Sequence, residues 1–495
     1  MKTWTGNLWS WLSLAAVISL NVPLNALAAT HYVDANGTNP VAPYTSWATA
    51  ATNIQDAINI AGVSDMLLVT NGIYQYGAAV RPGQTQTNRV FVPSGLDLTI
   101  QSVNGPAVTT IVGYQVPGTT NGVNAIRCVY LTSFSSLSGF TLTNGATQTS
   151  QSGGGLVMEA SCVVSNCVIS GNAAANDGGG VISGNSSLVA NCIISRNVAG
   201  LYGGGAMECI LNNCTVSNNV AKQGGGVWNC TANNSLLAGN GNTNSTDGGA
   251  AYDCTLNNCT VVGNLSRVSG AAEGCALVNS IIYYNSNGIY ADCYMCRLTN
   301  CCTTLGGIGN ASLPNNSISN APAFVNLAGG DYHLQSNSPC INAGNNSYFT
   351  GTTDLDGNPR IVGGTVDIGA YEYQTPTSML SYAWAQQYGL PTDGTADYAD
   401  LDGDGMNNWQ EWKAGTNPTN AASVLALQAP ATTNTTGITV TWQSVSGVTY
   451  YLLSSTNLPV FTPIQSNLVG QAGSTSYTDT TATNGGPYFY RVGVQ

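Results

Sequence analysis

Charge is scarce in this chain. Only 7% of its 495 residues are Asp, Glu, Lys or Arg, only 11 are Lys or Arg, and the formal net charge is −12. So few cations exclude an electrostatic grip on nucleic acid or anionic lipid. Two histidines leave little room for imidazole chemistry. The dearth of Glu, Lys and Arg also argues against a mostly helical globular fold. No segment beyond the N-terminus has 18 uninterrupted apolar residues, so no membrane span is expected in the mature chain. The length exceeds one compact core, which calls for several domains or a repeat array.

The N-terminus reads as an export signal over 1–28. Lys2 precedes an apolar stretch over 12–20, and Ala26 and Ala28 supply small residues for cleavage. A membrane anchor is the alternative. Fifteen cysteines in an exported chain raise the prospect of disulfides, although an odd number leaves one unpaired.

A repeat organises the middle of the sequence. Glycine clusters begin at Gly153, Gly178, Gly203, Gly224, Gly248 and Gly270, every 21 to 25 residues. Asn followed by Cys or Ser recurs at Asn166, Asn191, Asn213, Asn234, Asn258, Asn279 and Asn300. A second Asn follows the Cys or Ser by five residues, at Asn172, Asn197, Asn219, Asn240, Asn264 and Asn285. Another Cys precedes that Cys or Ser by five, as at Cys162, Cys209, Cys230 and Cys254. Two positions after it stand Ile169, Ile194, Val216, Leu237, Val261 and Ile282, so this face points inward by period two. Intervening residues such as Thr215 and Thr260 are free to face water. One such unit cannot bury its apolar face alone. Stacking units about 4.8 Å apart gives a continuous core and pairs the backbone between neighbours. The Asn columns belong at turns, where Asn tolerates left-handed φ and its amide can reach the next Asn.

The Cys columns admit three readings: small buried hydrophobes at narrow corners, disulfides between adjacent coils, or metal ligands. The expected fold is all-β: a right-handed parallel β-helix, then a short helical calcium-loop linker, then a small β-sandwich. The phrase Gly-Gly-Gly-apolar followed by Asn-Cys-x-apolar resembles the repeats of chlamydial polymorphic outer-membrane proteins. More broadly it resembles the pectate-lyase-like β-helix superfamily, over roughly residues 30–305. That likeness implies an extracellular, passenger-type surface.

The N-terminal cap and first coils are expected over 29–150 and the repeat core over 151–305. The run from Asn53 to Ala61 has helical periodicity and can plug the N-terminal mouth. A C-terminal cap is expected over 306–373. Its residues Ser338, Pro339, Cys340, Asp354, Asp356, Arg360 and Asp367 resemble the bacterial surface domain called choice-of-anchor Q. Arg360 is expected to pair with one of the three Asp, with a cation among them as the alternative.

The sharpest chemical motif spans 400–411, within a helix–loop–helix linker over 374–423. Asp400, Asp402 and Asp404 occupy positions 1, 3 and 5 of an EF-hand-type loop, with Gly405 at 6, Asn408 at 9 and Glu411 at 12. With the Met406 carbonyl these supply the hard oxygens that structural Ca2+ requires; a solvated acidic turn is the alternative. The motif also resembles the loops of dockerins and thrombospondin type 3 repeats. Residues 424–495 alternate as strands, and the Trp442 strand with the terminal Tyr488-to-Val492 strand resembles a fibronectin type III-like sandwich.

Candidate site residues lie just ahead of the first Cys column. Glu208 and Asp253 are candidate carboxylates two coils apart, near the upper limit for an inverting glycosidase pair. Trp228, Asn229 and Tyr252 are candidate ligand-binding residues, the rings offering a stacking platform to sugars. Lys222, Arg196, Arg267 and Arg297 are the repeat's possible bases. The expected function is that of a monomeric, non-catalytic protein, secreted or on the outer surface of a bacterium. It would bind an extracellular polysaccharide or cell-surface component. The alternative is a polysaccharide lyase or glycoside hydrolase acting along the β-helix face.

Overall fold

The computed structural model describes residues 28–495, apart from 185–186, 244–247, 267–269, 287–289, 305–315, 350, 430–436 and 484–485. The expected export segment, residue 28 aside, lies outside the described residues. The chain winds into a parallel β-helix, right-handed as such crossovers almost always are. Sheet I has eleven strands, from Thr30–Val33 to Arg297–Thr299. Sheet II has ten, from Gly72–Tyr74 to Cys302–Thr303, and sheet III ten, from Ala79–Val80 to Cys293–Tyr294. A fourth, short sheet joins four two-residue strands between sheets II and III. Among the described residues, no helix is long and apolar enough to cross a membrane.

The repeat columns stack as columns. Ile169, Ile194, Val216, Leu237, Val261 and Ile282 pair in succession and are fully buried. At the corners from sheet I to sheet II in the repeat, from Asn166 to Asn300, an Asn takes the left-handed conformation, with φ 52° at Asn166 and 53° at Asn213. The Cys or Ser that follows points inward and serves the backbone twice. Cys192 Sγ accepts from the Cys167 N–H at 3.3 Å and donates to the Ala190 carbonyl at 3.2 Å. Ser235 Oγ does the same between the Cys214 N–H (3.1 Å) and the Asn233 carbonyl (2.8 Å). This shared duty explains why the column accepts either residue. All fifteen cysteines are free thiols, so the disulfide reading does not hold.

The second Asn column forms a buried ladder. Each amide from Asn172 to Asn264 donates to the side-chain oxygen of the next coil's Asn. The last member, Asn285, donates to the Asp292 carboxylate at 3.1 Å. The glycine clusters then turn the chain into sheet III. Gly178 takes φ 60°, and a Cβ on Gly179 would lie 2.4 Å from the Val198 carbonyl oxygen.

Helix α1 (Ile54–Ile60) starts at Asn53, whose side chain accepts the Asp56 N–H at 3.0 Å. Its buried residues Ile54, Ala57 and Ile58 join the core of the first coils. The other expected cap behaves differently. Described residues between Phe324 and Tyr382 cover the flank of sheet II. Phe324, Leu334, Ile341, Ile368 and Tyr382 pack on Leu236, Ala238, Val262 and Ile281, the outward positions of successive coils. Asn279 exchanges two hydrogen bonds of 2.9 Å with Asn345. Thr260, expected to face water, is fully buried here, and its hydroxyl accepts the Ala370 N–H at 3.0 Å.

Within this flank cover Arg360 is 1% exposed. Its expected partner is also corrected. The guanidinium lies 3.8 Å from the Glu372 carboxylate and donates to the Asp367 backbone carbonyl. The carboxylates of Asp354 and Asp367 accept backbone N–H groups of Asn358, Glu372, Asn342 and Tyr373.

Helices α2 (Tyr382–Gln387) and α3 (Asn408–Ala414) follow. The chain ends in a two-stranded and a three-stranded antiparallel sheet around buried Trp442, Tyr450 and Leu452.

If hydrogen bonding governs the corner column, Cys192→Ser will leave thermal stability nearly unchanged. Cys192→Ala will strand the Cys167 N–H and cost about 1–3 kcal/mol. Equal melting midpoints for the two variants would show that packing alone sets the column.

Candidate functional site

Sheet III carries an unusual exterior. Along its strands Val157, Ile182, Met207, Trp228, Tyr252, Glu273 and Tyr294 stand opposite one another in consecutive coils. Each lies on a strand position next to an inward residue, such as Val227 beside Trp228, so the column faces outward and is half-buried. Val157 pairs with Tyr130, which pairs with Phe91. Six of the seven half-buried members are apolar or aromatic, where a solvated face calls for polar residues. Tyr202 stacks on Trp228 with centroids 5.2 Å apart and planes at 28°. Tyr290 stacks on Tyr294 at 5.1 Å and 12°. The Trp228 indole nitrogen is buried and has no acceptor, so this residue offers a ring face and not a donor.

Two of the sequence-predicted residues, Trp228 and Tyr252, are therefore adjacent rungs of a longer column. Tyr202 and Tyr294 were not singled out from the sequence, although a signal was there. Tyr294 precedes Cys296 by two, as Trp228 precedes Cys230 and Tyr252 precedes Cys254.

Glu208, Asn229 and Asp253 occupy the corner from sheet III to sheet I, with φ of 56°, 50° and 51°. Asn and Asp are common at such left-handed corners, so backbone demand accounts for two of the three. A Cβ on Gly274 would lie 2.4 Å from Asp253 Oδ1. The Asp253 carboxylate thus leans over the following coil, away from Glu208 two coils back. The structure does not bring these two into a shared acid–base site. Lys222 is exposed on the turn before Gly224, Arg196 takes a left-handed corner after sheet II, and Arg297 is exposed on sheet I. Arg267 lies outside the described residues.

The acidic loop over 400–411 is a second candidate. Asp400 accepts the N–H groups of Gly403 (2.8 Å) and Gly405 (3.0 Å), and Asp404 accepts that of Met406 (2.7 Å). Gly405 takes φ 95°, and Asn407 caps α3 in a reciprocal box with Gln410. This geometry gathers oxygens of Asp400, Asp402 and Asp404 within 4.8 Å of one another. Asp402 Oδ2, Asp404 Oδ2, Asn408 Oδ1 and both Glu411 carboxylate oxygens are buried without a hydrogen-bond partner. Burial, then the charges of Asp402, Asp404 and Asp400, pushes the Glu411 carboxyl up to about 7. Met406 Sδ accepts the Leu425 N–H at 3.3 Å, which ties the loop to the start of the terminal sandwich.

A third cluster went unremarked in the sequence. His333 lies between two carboxylates, Nδ1 to Asp331 at 2.6 Å and Nε2 to Asp356 at 2.6 Å, with its ring against Tyr371 at 4.3 Å. Partial burial opposes the charged imidazole. Hydrogen bonds to Asp356 and Asp331 outweigh it and raise the pKa above the ordinary histidine value.

No protein-family model matches the chain, and no curated protein sequence matches it. Among solved structures, pectate lyase Pel9A is similar over 70% of this chain and 97% of its own, at 16% identity and a TM-score of 0.49. A pectin methylesterase in complex with a hexasaccharide aligns over 57% of this chain and 81% of its own, at 12% identity and a TM-score of 0.31. XylC in complex with xylose aligns over 93% and 100%, at 10% identity and a TM-score of 0.32. The fold assignment rests on the strand register itself, not on these likenesses.

The raised His333 pKa fixes the sign of a pH effect. Its contribution is complete below the unfolded value near 6.5 and is lost as pH rises through the folded value. The pair is half-exposed, so the effect is small. The melting midpoint of the native chain will fall relative to His333→Gln between about pH 6 and pH 8. Parallel curves would rule out the charged bridge.

Proposed function

We propose that this is an exported glycan-binding protein that holds a polysaccharide against the outside of sheet III and does not cut it. The outward aromatic and apolar column carries the reading. Sugars present both hydroxyls and polarised C–H faces, and an aromatic ring takes the C–H face. Stacked neighbours such as Tyr202 under Trp228 hold such a ring rigid, which lowers the entropic cost of binding. The corner geometry of Asp253 supports a non-catalytic role, since hydrolysis needs two carboxylates facing one bond.

Calcium belongs to this proposal as a structural ion. Hard oxygens suit Ca2+, and the loop offers unpartnered ones from Asp402, Asp404, Asn408 and Glu411 beside Asp400, with the Met406 backbone carbonyl as a further donor. A bound cation would offset the mutual repulsion of these carboxylates. It would also fix α3 and the segment leading to Leu425.

Two measurements test these readings. Full-length protein passed over immobilised polysaccharides will be retained without releasing product; new reducing or unsaturated ends would sink the non-catalytic reading. Calcium will raise the melting midpoint of the full chain, a chelator will reverse the rise, and Asp404→Ala will abolish it. A midpoint indifferent to calcium in the unsubstituted chain would refute the loop assignment.

A further inference from the structure

Resting on the glycan-binding reading, we infer that the sheet III column takes a neutral, unbranched polysaccharide laid parallel to the β-helix axis. The direction follows from register. Trp228 and Tyr252 are directly paired on adjacent rungs, and Tyr294 follows two rungs later along the same line. From Val157 to Tyr294 the column spans six rung spacings of about 4.8 Å, or about 29 Å. A chain crossing this line would meet one ring, whereas a chain running along it meets several. Rings repeated at one spacing favour a ligand that is itself a linear repeat.

The charge of the surroundings selects against an acidic chain. Glu273 stands in the column between Tyr252 and Tyr294, and Glu208 and Asp253 stand on the corner beside it. Two exposed cations lie close to these rungs in sequence, Lys222 on the turn before Gly224 and Arg297 on sheet I three residues after Tyr294, against three carboxylates. At the N-terminal end of the column, Arg81 lies 2.8 Å from Glu159, so its charge is already matched. A polyanion would meet like charge from Glu208, Asp253 and Glu273 along the C-terminal half of the path, and the net charge of −12 adds to that repulsion. A neutral chain meets ring faces, with carboxylates at the edge able to accept from hydroxyls.

Calorimetric titration of the full chain distinguishes the outcomes. The probes are β-1,4-linked glucose, xylose and mannose oligomers, with an α-1,4-glucan and oligogalacturonate beside them. Neutral oligomers will bind, with affinity rising steadily from dimer to hexamer. Trp228→Ala will lose about tenfold or more in a variant that still folds. Should that variant fail to fold, Tyr252→Ala on the next rung will show a loss of the same kind. Preference for oligogalacturonate, affinity independent of length, or full affinity in the folded ring variants would overturn this inference and leave glycan binding standing. Failure of every glycan to bind would overturn both.

Discussion

Inside the tube, the Asn219 side chain makes four hydrogen bonds at once. Its oxygen accepts the backbone and amide N–H groups of Asn197 at 2.9 and 3.0 Å. Its nitrogen donates to the Ile194 carbonyl at 2.9 Å and the Asn240 oxygen at 3.0 Å. Every donor and acceptor of the amide is used, which is what a fully buried polar group requires. No neighbouring register satisfies all four. The ladder therefore fixes each coil above the next, and everything on the outside inherits that alignment. The ladder also has a direction, because each amide donates toward the C-terminus. It must end on a group that only accepts, and Asp292 is that group, held by Asn285, Thr303 and Thr304.

The exterior is under no such constraint and differs from face to face. On sheet II the outward pairs are Ile193 with Ser195 and Thr215 with Ser217, and both positions then turn apolar at Leu236 and Ala238. The flank cover begins where the side chains change. On sheet I, Asn257, Asn233 and Asn212 form an outer ladder that donates toward the N-terminus, opposite to the inner one. Sheet III carries the run of rings, Trp228, Tyr252 and Tyr294. One scaffold thus presents a covered flank, a flank with an Asn ladder and an aromatic flank, with the same spacing on all three.

The same alignment explains why some residues mislead when read singly. Glu208, Asn229 and Asp253 look like a polar site because they recur at one offset from Cys209, Cys230 and Cys254. Their offset is that of a left-handed corner, which recruits Asn and Asp for backbone reasons. The cysteines likewise suggest cross-links. Their thiols instead do the work that Ser235 and Ser280 do at the same place.

The sequence alone determined the tube. Its Asn, Cys and Gly columns and its inward apolar positions are local, periodic demands, visible because each coil repeats them. It also determined the acidic loop, whose pattern of oxygen-bearing side chains lies within twelve consecutive residues. Tertiary structure alone decided where the second cap goes, that Glu372 is the carboxylate paired with Arg360, and that His333 bridges Asp331 and Asp356. The line of Trp228, Tyr252 and Tyr294 follows from their common offset before the Cys column, whereas tertiary structure alone stacked Tyr202 on Trp228. The contacts that tertiary structure decided join segments with no shared period, and they depend on which outward positions happen to meet when the coils are stacked.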